Sequence, residues 1–415
     1  MSNRYAVVGV TAVAALLMYI DRVCISILAD PIQTDLKLTE EQKADMLGAF
    51  FLTYALFQIP VGALADRFGP RIVLALCIAG WSAVTAATGL VWSFPALVGV
   101  RLLLGITEAG AYPAAAGLVK RWAKPEERGR FSSIVATGGR VGGAFAPWMT
   151  NALGVALVGV SAFGYAVGPS GVHWRAVFVL YGVVGLFVAA VFWVVVRDNP
   201  PGHVPPPAVV RPHILRRLGK IATARGMWLF GGVQFCNNIS WAFLVTLLPT
   251  YLKDAGVPQN QRSEIQTGVL LAGCVGMIVG GYATDAIRRK FGPRWGRSLP
   301  IAAMMTVCAG MCGIVSLSPG LWVAVGALAV MAFCQDLGIP SVWAYAQDVG
   351  GKDVGSALGW GNMLGNLGAA LSPVLLIRVK AAGGWDAAFA LCAGCYVFAA
   401  ACGLMLDATK PVSEE

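Results

Sequence analysis

The sequence predicts an all-α membrane protein: twelve transmembrane helices in two six-helix lobes, with both termini cytoplasmic. Three observations lead there. Hydrophobic residues make up 57% of the 415 and charged residues only 13%, about half the charged share of an ordinary soluble domain. The apolar runs are about 20 residues long, too long for buried strands and long enough to cross a hydrocarbon layer of about 30 Å as helices. The chain also repeats itself. GALADRFGPR at 62–71 returns as GGYATDAIRRKFGPR at 280–294, each with a glycine four residues before its aspartate and each ending in FGPR. A weak six-span repeat points to two related lobes.

The first lobe, 1–196, holds spans at 5–30, 44–65, 72–91, 95–119, 131–154 and 174–196. The first apolar run continues to Ala29 with no small-residue cleavage site, so it reads as a spanning helix and not as a signal peptide. Residues 151–174 stay apolar but are Gly-rich and too short for another span with its turns; they read as an extended end of the fifth helix and a long external loop. The segment 197–225 contains PPGHVPPP and reads as a cytoplasmic linker. The second lobe, 226–415, holds spans at 226–252, 264–287, 298–317, 320–346, 354–377 and 384–406.

The net charge of +10 raises the question of a nucleic-acid partner. With the N-terminus inside, 21 of the 31 Lys and Arg fall in cytoplasmic segments, seven outside, counting Arg175 at the outer edge of its span, and three deeper within spans. This is positive-inside topology, and no nucleic acid is needed to explain it. The ten cysteines fall in apolar spans without stabilising charge, so neither a metal nor a disulfide is expected. The three histidines, His173, His203 and His213, lie in loops, which leaves carboxylates as the groups for any proton chemistry in the membrane.

The stretch MYIDRVC at 18–24 follows sixteen uncharged residues, Tyr5 to Ile20, and the apolar run then resumes. A charge at a helix centre costs about 2.5–3.5 kcal/mol on insertion scales, so Asp21 and Arg22 need an offset. A rise of about 1.5 Å per residue puts them about 24 Å from the inner end of span one, Arg101 about 9 Å below the outer end of span four and Glu108 about 20 Å below it. Seven residues nearly complete two turns, so Arg101 and Glu108 share a face. Four charges of balanced sign can then meet in one cavity between spans one and four. Such a set can be a static ion-pair cluster, but buried pairs stabilise poorly compared with apolar packing, which favours function. Arg22 and Arg101 offer planar forks for an anion, and Asp21 and Glu108 are candidate proton sites.

GALADRFGPR resembles the loop signature of the major facilitator superfamily at Gly62, Leu64, Ala65, Asp66, Arg67, Gly69 and Arg71. YIDR at 19–22, RLLLGITEAGAYPA at 101–114, PEERGR at 125–130, LPTYL at 248–252 and GNMLGNLGAALSP at 361–373 together resemble the anion:cation symporter family. That group includes bacterial sugar-acid symporters, sialin and the vesicular glutamate transporters. The resemblance implies a monomeric transporter of a small organic anion in the cell membrane, coupled to protons through Asp21 and Glu108, with Arg22 and Arg101 as anion contacts and no cofactor or metal.

Other residues carry two readings. Gln234, Asn237, Asn238, Asn362 and Asn366 either bind substrate hydroxyls or tie helices together. Tyr19 and Tyr54 either line the cavity or pack. Arg140 in GGRVGG and Asp336 in FCQDLG are a possible interlobe pair, equally readable as a substrate or gate contact. Asp66, Arg67 and Arg71, with Asp285 and Arg288 or Arg289 as the second copy, read as gating latches at cytoplasmic helix ends, as do Glu127 and Arg128. A sodium-coupled carrier, an organic-anion exchanger and a non-transporting sensor are the alternatives. An enzyme fits worst, since the spans hold no nucleotide loop, metal cluster or nucleophile–base pair, and GGRVGG lacks the preceding strand that a dinucleotide site requires.

Overall fold

The computed structural model describes residues 4–157, 171–202, 214–317 and 320–412, and they are helical apart from short connections. The first helices are α1 (Arg4–Ile27), α2 (Ala29–Leu36), α3 (Glu40–Phe68), α4 (Pro70–Thr88), α5 (Phe94–Glu108), α6 (Ala111–Trp122), α7 (Arg128–Ala156) and α8 (Trp174–Val195). They are followed by α9 (Ile214–Thr223), α10 (Arg225–Ala242), a π-helical turn at Phe243–Leu247, α11 (Leu248–Asp254), α12 (Gln259–Ser316), α13 (Leu321–Val349) and α14 (Val354–Met405). α12 breaks at Gly292, and α14 breaks at Gly383 and Gly384. With α5–α6 and α10–α11 each counted as one crossing, the twelve predicted spans each fall on a helix or one arm of a broken helix.

The repeat accounts for two of the corners. In Phe68–Arg71 and Phe291–Arg294 the chain turns at a glycine with positive φ, +97° at Gly69 and +77° at Gly292. A side chain there would be strained, and the proline that follows pre-sets the next helix because its first turn needs no N–H. α3 starts in a reciprocal capping box between Thr39 and Gln42. The bend after α10 follows from Pro249, which has no N–H to give Val245. The Gln266 side chain supplies that bond instead, donating to the carbonyls of Val245 (2.9 Å) and Leu244 (3.1 Å).

The chain divides into two compact units, Met1–Trp122 with Val135–His203, and Ala123–Ile134 with Val204–Glu415. α7 therefore begins in the second unit and continues in the first. Within each unit the spans bury one face and leave another apolar and exposed, as at Leu52, Leu56, Leu76 and Phe187 in the first unit and Val275, Leu371 and Val397 in the second. Outward-facing apolar side chains are what lipid requires.

Two details refine the sequence reading. α7 does run on to Ala156, but residues 158–170 lie outside the described residues. The linker contains a helix that composition concealed. In α9, ILRRLGKIAT, apolar residues at 214, 218 and 221 recur at helical spacing between basic ones, and Ile221 is buried.

Candidate functional site

In the first unit, α1, α3 and α5 bring Arg22, Tyr54 and Glu108 together. The Arg22 guanidinium donates from Nε (3.0 Å) and from one terminal nitrogen (2.8 Å) to the same oxygen, Oε2 of Glu108. Glu108 is fully buried and the Arg22 side chain is 13% exposed. Three rings enclose the guanidinium, with Tyr54 at 4.2 Å and Tyr19 and Phe50 at 5.0 Å from ring centroid to Cζ. Tyr112 on α6 extends the aromatic wall, its ring 6.3 Å from that of Tyr19. This cage holds a charge where water is scarce, through ring quadrupoles and one charge-assisted pair.

Arg101 lies one ring away. It is 2% exposed, and its Cζ stands 5.0 Å from the centroid of the same Phe50 ring that Arg22 contacts. Its Nε donates to the Met46 carbonyl at 3.3 Å, and among the described residues no carboxylate pairs with it. A buried guanidinium held only by a carbonyl and a ring keeps most of its donor capacity unspent. Asp21 is buried on α1, close enough to Glu108 for the two carboxylates to act on each other, and its Oδ2 accepts no hydrogen bond. The structure thus gathers the four charges but not as two ion pairs: one pair forms, between Arg22 and Glu108.

The amides belong to the second unit. Gln234 on α10 donates to the Asn362 side chain on α14 at 3.3 Å. Asn238 donates to the Gln234 carbonyl and Asn366 to the Asn362 carbonyl, each one helical turn back. The Asn237 backbone carbonyl accepts from Gln335, whose own side-chain oxygen accepts from Tyr396 at 3.0 Å, while Asn237 Oδ1 stays unbonded. Arg140 sits on α7 beside Gly139, where an added Cβ would meet the Tyr19 and Tyr112 side chains. Asp336 is buried on α13 and packs against Gly273.

The second copy of the repeated loop organises a charge cluster. Both carboxylate oxygens of Asp285 accept from the amides of Gly129 and Arg130 at 2.9 Å, capping the N-terminus of α7, whose first N–H groups have no helical partner. Arg288 donates to Glu126 at 2.7 Å. Asp348, at the end of α13, is shared by Arg128 and by Arg297 (2.8 Å), with Arg288 at 3.9 Å. Arg297 is fully buried and also donates to the Pro125 carbonyl. Its own backbone amide and then Arg288 hold the Glu126 carboxyl below the usual carboxylate range. That arm is therefore intact at neutral pH and is lost only as the pH falls through the lowered value. Asp348→Asn is expected to leave three guanidinium groups without their common anion. The expected cost is about 3 kcal/mol or more, read as a lower melting temperature of the purified protein.

The first copy behaves differently. Asp66 is buried near the end of α3, and Arg67 lies along the Phe68 ring. Arg71 donates to the Trp193 carbonyl at 2.7 Å and stacks on that indole, while its amide and Arg121 both bond Asp198. Glu127 pairs with Arg130 at 3.1 Å.

Phe50, Tyr112, Gln335, Tyr396, Arg297 and Asp348 escaped the sequence reading. Aromatic and amide residues in apolar spans look like packing, and Asp348 and Arg297 sit at span ends, where charge is ordinary. Phe50 alone left a usable signal, one helical turn before Tyr54.

Comparison with known proteins agrees with this architecture. The profile of the Major Facilitator Superfamily matches residues 11–373. A probable sulfoacetate transporter, SauU of Cupriavidus necator, is 32% identical over 409 residues, covering 94% of this chain and 90% of SauU. The hexuronate transporter of Bacillus subtilis is 26% identical, covering 93% of this chain and 90% of its own. Among solved structures, the E. coli fucose:proton symporter FucP superposes with a TM-score of 0.75 at 14% identity over 97% of this chain and 98% of its own. That identity speaks to fold alone.

Proposed function

Since the chain belongs to the Major Facilitator Superfamily, we propose that it imports a small organic anion together with protons by alternating access, acting as a monomer. The anion is a carboxylate of the sugar-acid type or a short sulfonated acid, the classes named for the hexuronate transporter and SauU. One observation carries the reading: Glu108 occupies Arg22 through a single oxygen, while Arg101 lies one ring away with no carboxylate of its own among the described residues.

The chemistry follows from competition for Arg22. Protonation of Glu108 removes the charge that holds the guanidinium, and Arg22 turns with Arg101 to an incoming carboxylate or sulfonate. Asp21 is the second proton site. Deprotonation on the other side returns Arg22 to Glu108 and expels the anion. Gln234, Asn237, Asn238, Asn362 and Asn366 supply hydrogen bonds to hydroxyl groups, and Tyr19 and Tyr54 shape the cavity. Asp285, Arg288 and the Asp348 cluster, with Asp66, Arg67 and Arg71 as the first copy, serve as latches between states. Arg140 and Asp336 contribute either an interlobe bridge or a substrate contact, which a charge-reversal double variant distinguishes.

The test is a ligand panel on purified protein, with sulfoacetate, glucuronate, galactarate and neutral fucose. A ligand that binds only the folded state stabilises it by about 2.7 kcal/mol at a hundred times its Kd. At least one acid is expected to raise the melting temperature and fucose to leave it unchanged. Stabilisation by fucose alone would overturn the anion assignment.

A further inference from the structure

Gln58 is fully buried in the first unit, and neither atom of its side-chain amide makes a hydrogen bond. A buried amide with both ends unused is rare enough in folded proteins to require a reason. Among the described residues, Oε1 of Glu108 is also unbonded, as is Oδ2 of Asp21.

Helix register places Gln58 and Glu108 at the same level of adjacent helices. α3 packs in parallel with α5 and the turn into α6. A Cβ on Gly105 would lie 2.4 Å from the Phe50 carbonyl and 2.9 Å from the Tyr54 amide, and a Cβ on Gly110 would lie 2.3 Å from the Val61 side chain. Between these contacts, Glu108 is level with Gln58. Both stand on the facing stripes: Gln58 is one turn past Tyr54 and three residues before Val61, and Glu108 is three past Gly105. Tyr54 itself touches Arg22, which holds Glu108.

We propose that Gln58 is the partner Glu108 takes when Arg22 leaves it, which makes Gln58 a positioning residue for coupling. The inference rests on the coupling role given to Glu108 above. While Glu108 is ionised, Arg22 holds its Oε2 and the Gln58 amide is idle. Once Glu108 is protonated and Arg22 has turned to the anion, the neutral carboxyl must donate its proton to something in a dry core. Gln58 Oε1 accepts that O–H, and Gln58 Nε2 donates to the other carboxyl oxygen. The proton comes from water on the loading side and returns to water on the other. The remaining charged and titratable groups around Glu108 are Tyr19, Asp21, Arg22 and Cys24 on α1, Tyr54 on α3, Cys77 on α4 and Arg101 on its own helix. None of them is a neutral amide able to accept and donate at once.

The experiment needs no transported substrate. Infrared difference spectra of the purified protein are recorded through a pH titration for the wild type, Gln58→Met and Glu108→Gln, the last identifying the Glu108 carboxyl band by its loss. In Gln58→Met the band is expected at higher wavenumber, as a carboxyl without its hydrogen bond. Its midpoint is expected at lower pH by about one unit, the size of a single hydrogen bond. The melting temperature should not fall, since only unbonded polar atoms have been removed. Gln58→Glu, whose neutral carboxyl keeps an acceptor and a donor, is expected to restore the wild-type wavenumber. An unshifted Glu108 band in Gln58→Met, with or without a lower melting temperature, overturns the Gln58 role and leaves the coupling reading standing. Absence of any titrating Glu108 band in the wild type defeats the coupling reading itself.

Discussion

Glu108→Gln is expected to cut proton-driven accumulation of the substrate acid in proteoliposomes by about tenfold per pH unit of gradient, while counterflow of the same acid persists. Glutamine is close in shape to the protonated glutamate but cannot change charge, so Arg22 is released permanently and the anion can still bind and exchange. What is lost is the link to the proton gradient. Each coupled proton multiplies the attainable accumulation about tenfold per pH unit, because about 1.4 kcal/mol is a factor of ten. A carrier that has lost one proton loses that factor. Full-strength uptake in the variant would remove Glu108 from the coupling step. Uptake driven by a sodium gradient at equal pH would point to the other coupling ion instead.

The second large effect concerns the fold. Arg22→Ala leaves the Glu108 carboxylate fully buried with no guanidinium to meet it. Removing one partner of a buried pair costs about 3–5 kcal/mol, most of it the penalty of the stranded charge. The expected result is a steep loss of thermal stability at neutral pH. The double variant Arg22→Ala with Glu108→Gln should recover most of it, since the neutral amide has no charge to strand. Equal loss in the single and double variants would mean that Arg22 stabilises through its three rings and not through the carboxylate.

Much of the site was legible before any coordinates. Asp21, Arg22, Arg101 and Glu108 stand out because a charge inside a long apolar run is expensive and must be answered by another. Depth counting along two helices sufficed to bring them to one region. It did not reveal which acid takes which arginine. Adjacent residues on a helix point about 100° apart, so Asp21 and Arg22 need not face the same neighbour, and here Arg22 alone pairs with Glu108. The aromatic cage was half legible: Tyr19 and Tyr54 read as cavity-lining or packing residues, whereas Phe50 looks like any lipid-facing ring. The charge cluster around Asp348 was the least visible. Its parts are scattered from Glu126 to Asp348 in the chain, and charges at helix ends carry no signal of burial.

By itself the sequence determined the membrane, the number of crossings and the two corner turns, because each depends on local composition: apolar length against bilayer thickness, and a glycine followed by proline where φ must be positive. It also determined that charges would have to meet inside the first half. Only the tertiary structure decided the partners, that one Glu108 oxygen would hold Arg22 while Arg101 met no carboxylate among the described residues, and that Asp285 would cap a helix far away in the chain. Those choices depend on distances and directions between segments that sequence spacing does not encode.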